Sequence, residues 1–89
     1  MVRISGVESD DGFIRKVENM ILSKLIEDFS KQTFETSHEN LERSLMEAAK
    51  YPVFNTAINN LIVRNFVSRI GNDNYRVTDN GIVEYDLRK

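Results

Sequence analysis

The single proline of this 89-residue chain, Pro52, limits the folds open to it more than any other residue. Proline lacks the amide proton and its ring meets the carbonyl one turn back, so it is excluded from helix interiors but suits a first turn. Apolar residues at helical spacing lie on both sides of it. Leu41, Leu45, Met46, Ala48 and Ala49 precede it, and Phe54, Ile58, Leu61 and Ile62 follow. Pro52 therefore ends one helix near Lys50 and opens another, which closes near Asn65, a residue type that tolerates the left-handed helix-ending conformation. So short a joint makes the two helices cross steeply, which is helix-turn-helix geometry.

The flanking segments complete the pattern. Thr36-Ser37-His38-Glu39 reads as a capping box, with the Thr36 hydroxyl on an amide near Glu39, so the second helix spans about Ser37 to Lys50. Before it, Thr33-Phe34-Glu35 is a short extended link. A first helix from Gly12 to about Gln32 carries Ile14, Val17, Ile21 and Leu25, with a second stripe of Leu22, Ile26 and Phe29. Residues 1–11 read as a flexible lead, and 12–89 as one domain. After the third helix, residues 66–70 alternate with Phe66, Ser68 and Ile70 on one side. Gly71-Asn72-Asp73-Asn74 is a dense turn signal, and Tyr75-Arg76-Val77 resumes the strand, giving a β-hairpin. Thr78 caps a last helical turn or two carrying Ile82, Val83 and Tyr85. The fold class predicted is mainly α, α+β: a three-helix core, a C-terminal hairpin and a short last helix.

Composition narrows function. The chain has no cysteine, which removes disulfides, thiolate metal sites and a cysteine nucleophile together. No apolar run approaches signal-peptide or membrane-span length, so a soluble, cytoplasmic protein without membrane contact is expected. Net charge is −2, but it is unevenly spread. Residues 1–49 hold ten acids and six bases, whereas residues 50–78 hold four bases, Lys50, Arg64, Arg69 and Arg76, against the single acid Asp73. A phosphate backbone responds to such local charge rather than to the sum.

The order helix, short strand, helix, tight turn, helix, hairpin resembles the winged-helix (winged helix-turn-helix) family of DNA-binding domains over roughly residues 13–86. Leu61-Ile62-Val63-Arg64-Asn65-Phe66-Val67 resembles the end of that family's recognition helix and the entry to its wing, with Asn65 where the family usually has glycine. Tyr75-Arg76-Val77-Thr78-Asp79-Asn80-Gly81 resembles the wing exit. The resemblance implies a transcription regulator whose third helix lies in the major groove of double-stranded DNA. An acidic chain and a third helix with few bases depart from that pattern, and suit family members that bind proteins instead.

Removing the apolar stripe leaves Asn55, Thr56, Asn59 and Asn60 facing outward from the third helix. Asparagine pairs with the major-groove edge of adenine, and threonine bonds a base or touches a thymine methyl; the competing reading is a solvated polar face. Arg69 and Arg76, with Asn72 and Asn74 at the hairpin tip, fit phosphate contacts or an ordinary solvent-facing set. Lys50 belongs to the phosphate set, as does Arg64, which equally fits the carbonyls at its own helix end. Tyr51 fits stacking on sugar-phosphate or a cover over the joint between helices. His38, the only histidine, reads as a surface helix-start residue rather than a metal or acid–base group. No catalytic set, metal cluster or phosphate-cradling loop is present, so neither an enzyme nor a cofactor is expected. A homodimer is expected, through Leu22, Ile26, Ile82 and Tyr85, unless these pack within one domain. The second functional reading is a protein-interaction module of a larger assembly.

Overall fold

The computed structural model describes residues 5–31, 35–45 and 51–88. Within them lie α1 (Ser5–Ser30), β1 (Thr36–Ser37), α2 (His38–Leu45), α3 (Tyr51–Val63), β2 (Val67–Ile70), β3 (Asn74–Val77) and α4 (Asp79–Arg88). This is a small α+β domain in which the antiparallel sheet has the order β1-β3-β2.

The first helix starts at Ser5, not at Gly12, so the expected flexible lead is helical over residues 5–11. Its buried row is Val17, Glu18, Ile21, Leu22 and Leu25, which packs against Leu41 and Leu45 of α2 and Phe54, Ala57, Ile58 and Leu61 of α3. Leu22 is fully buried inside its own domain, which removes it from the expected dimer surface. Ile26, Ile82 and Tyr85 are also packed against the core, though partly exposed.

The helix-2 cap is shifted by one residue from the sequence expectation. Ser37, not Thr36, accepts the amide proton of Asn40 on its hydroxyl at 3.1 Å. Thr36 is drawn into the sheet opposite Tyr75, and its hydroxyl donates instead to Asp28 at 2.7 Å. Burial pushes the Asp28 carboxyl up, but the Thr36 hydrogen bond and Lys24, whose ammonium lies at 3.0 Å, outweigh it and hold the group below its ordinary value. Glu39 pairs with Arg43 on the exposed side of α2 at 2.9 Å. The expected continuation of the second helix to Lys50 falls on residues 46–50, outside those described.

Pro52 stands in the first turn of α3, as its chemistry requires. The helix closes in a Schellman motif: Asn65 takes φ 66°, its amide reaches Ile62 O at 3.0 Å, and the Phe66 amide reaches Leu61 O at 2.9 Å. The hairpin then pairs Val67 with Val77 and Arg69 with Tyr75. Val67 therefore shares the buried face of the hairpin with Tyr75 and Val77, and Arg69 stands at the exposed end of that face, whereas Ser68 lies on the other face. Phe66 is consumed by the helix end, and that displaces the alternation by one residue.

Thr78 ties the hairpin to both neighbouring helices. Its hydroxyl donates to Asn65 O at 2.7 Å and accepts the Gly81 amide at 3.0 Å, while its own amide reaches Phe66 O at 3.1 Å. The close approach leaves no room for a side chain at Gly81, where an added Cβ would lie 2.1 Å from Phe66 O and 2.8 Å from Val77 Cγ2. Gly81→Ala is expected to lower stability by about 3 kcal/mol, since carbonyl and strand must both move, whereas exposed Asn80→Ala should change it by less than about 0.5 kcal/mol. Urea unfolding midpoints compare the two, and equal midpoints would refute the packing described.

Candidate nucleic-acid interface

Helix α3 buries Phe54, Ala57, Ile58 and Leu61 and turns Pro52, Thr56, Asn59 and Val63 to solvent at intervals of three and four residues. Asn55 is half-buried at the margin of this stripe. Thr56 and Asn59 thus stand on one exposed face, with Arg64 exposed just beyond the helix end. No charged residue occurs between Tyr51 and Val63, so any positive charge at this face comes from its flanks.

Asn60 does not join that face. Its amide nitrogen donates to Glu18 of α1 at 3.1 Å. Glu18 is 4% exposed, and its second oxygen accepts from Arg88 Nη1 at 3.1 Å. The same guanidinium reaches Asn19 at 2.8 Å and Glu84 at 2.8 Å, and lies over the Phe66 ring, leaving only Nη2 buried without a partner. This network joins α1, α3 and α4 at one point. It escaped the sequence reading because its members are up to 70 residues apart. A carboxylate beside Val17 and one turn before Leu22, on the buried face of α1, was the one local sign of it.

The hairpin residues divide as well. Arg69 shares the side of Tyr75, its guanidinium 5.9 Å from the ring centre, whereas Arg76 pairs with Ser68 and leaves from the opposite side. Both are exposed, but they do not form one continuous row. Arg76 borders a hollow of about 400 Å³ shared with Phe29, Asn65, Ser68, Thr78 and Asp79, so an acid stands close by. Asn72 is exposed in the turn, while Asn74 donates to Glu35 at 3.0 Å. Lys50 lies outside the described residues, as does the side chain of Tyr51.

His38 begins α2 as expected but is half-buried, and it fastens the hairpin. Its Nδ1 lies 2.9 Å from the Tyr75 hydroxyl, its ring meets Phe54 edge-on at 5.0 Å, and its amide donates to Asp73 O in the turn. No group of His, Asp and Glu able to hold a metal occurs among the described residues, and no helix among them is long and apolar enough to cross a membrane. Comparison with family models, with curated proteins and with solved structures gave no match, so the functional reading rests on this geometry.

The network makes a quantitative claim about helix seating. Arg88→Met leaves the Glu18 carboxylate buried without its cation and is expected to destabilise the fold by about 3 kcal/mol or more, while adding Glu18→Met should recover most of that loss. Thermal and urea unfolding of the single and double variants measure it. A loss below about 1 kcal/mol for the single variant would place the pair in water rather than in the core.

Proposed function

We propose that the chain is a winged-helix domain that binds duplex DNA, with α3 in the major groove and the β2–β3 hairpin as the wing along the phosphate backbone. The support is the chain order α1-β1-α2-α3-β2-β3, with β1 paired to β3, a helix-helix-hairpin arrangement that leaves one face of α3 outward. The observation that carries the reading is the solvent-facing pair Thr56 and Asn59, with Asn55 beside them, all able to bond base edges. Phosphate contacts fall to Arg64, Arg69, Arg76 and Asn72, with Lys50 added from the sequence. Asn60 and Asn74 are left out, because Glu18 and Glu35 hold their amides. The two arginines of the wing, leaving from opposite sides, suit a hairpin straddled by backbone rather than laid flat on it. Occupying a site in this way would regulate transcription, and two copies on a two-fold site would extend the short stretch one module spans.

A second reading, a protein-interaction module of the same fold, is favoured by the uncharged α3 and by Val63, which is 84% exposed at its end. Fluorescence anisotropy with duplex DNA across a salt series separates the two. DNA binding is expected to weaken steeply as salt rises, Arg69→Ala and Arg76→Ala should each flatten the log–log slope by about one unit, and Asn59→Ala should reduce discrimination between sites by about 1–3 kcal/mol. Absence of binding at low salt, or binding indifferent to salt, would give the face to a protein partner.

A further inference from the structure

The surface of α4 carries two large apolar side chains that its fold does not use. Val83 is 58% and Leu87 75% exposed, one helical turn apart. They border a shallow groove of about 320 Å³ lined also by Ile26, Ile82, Tyr85 and Asp86. Rotating α4 by roughly 100°, one residue's turn, would bring Leu87 to the core position that Arg88 holds. The helix does not take that option, because Arg88 is pinned inward by Glu18, Asn19 and Glu84. Its side chain is only 2% exposed. The ion pair thus fixes Val83 and Leu87 outward on a rigid support.

The charge around this stripe selects what covers it. Asp79 and Asp86 flank Val83 at intervals of four and three residues, and both are exposed. Glu84 is partly exposed, whereas the one cation of α4, Arg88, is buried against two carboxylates. The groove itself is therefore apolar with one exposed acid, Asp86, at its edge, and Asp79 lies one turn before Val83 beside the hollow it shares with Arg76. A second copy packed α4 against α4 would bring Asp86 toward acids of its partner, which opposes self-association through this stripe.

We infer that the Val83–Leu87 stripe of α4 is a docking surface for a protein segment that presents apolar side chains one helical turn apart with lysine or arginine beside them, independently of whether α3 reads DNA. The test pans a random peptide library displayed on phage against the whole chain, counter-selecting on the Val83→Ser/Leu87→Ser variant. Those positions are exposed, so the variant keeps its fold, as its unfolding midpoint checks. The expected result is enrichment of basic, apolar peptides. Synthetic versions of these should bind the unaltered chain at least tenfold more tightly than the variant and lose several-fold in affinity to Asp79→Asn/Asp86→Asn. Acidic or charge-indifferent winners overturn the assignment, as does no enrichment over the counter-target. A dimer in sedimentation equilibrium that Val83→Ser/Leu87→Ser splits would also overturn it, giving the stripe to a second copy. DNA affinity of the Val83→Ser/Leu87→Ser variant, read in parallel, is expected to be unchanged, so failure here is distinct from failure of the DNA reading.

Discussion

A single buried carboxylate, Glu18, links α1, α3 and α4 at one point. It lies in the middle of the buried row of α1 and accepts a hydrogen bond from Asn60 of α3 with one oxygen and from Arg88 of α4 with the other. A carboxyl group in such a place is tolerated only when its oxygens are satisfied, which favours one rotation of each helix about its own axis. For α3 that rotation puts Asn60 inside and leaves Thr56 and Asn59 outside. For α4 it puts Arg88 inside and leaves Val83 and Leu87 outside. The two surfaces to which functions are assigned thus share one interaction, which on α3 acts together with the buried stripe of Phe54, Ala57, Ile58 and Leu61.

A second set of contacts holds the hairpin against this helical body. His38 meets Tyr75 and Phe54 at one end, and Thr78 bonds Asn65 and caps α4 at the other. Between them β1, only two residues long, closes the sheet by pairing with β3. The hairpin is therefore fixed at its tip and its base, and the direction in which Arg69 and Arg76 leave it follows from strand register.

Local chemistry made most of the elements legible in the sequence. Pro52 marked the start of α3 to within a residue, Asn65 marked its left-handed end, and the glycine-asparagine turn marked the hairpin. The errors came where a distant partner competed with a local rule. Thr36 read as a cap, but Asp28 and the sheet claimed it, and Ser37 took over. Phe66 read as a strand residue, but the closing turn of α3 claimed it and displaced the alternation. Gly6, the serines and the Asp10–Asp11 pair made residues 5–11 read as a loose lead, although that stretch is helical and continuous with α1.

The candidate interface was legible only in part. Helical spacing separated Thr56 and Asn59 from the apolar stripe, but could not tell Asn59 from Asn60, since only the fold brings Glu18 against one of them. The sharpest measurement is a ¹⁵N NMR titration of the chain with duplex DNA at low salt. The structure predicts amide shifts centred on Asn55, Thr56, Asn59 and Arg64, with a second group at Arg69, Asn72 and Arg76 and none at Val83 or Leu87. Shifts centred on α4, or none on α3, would contradict it.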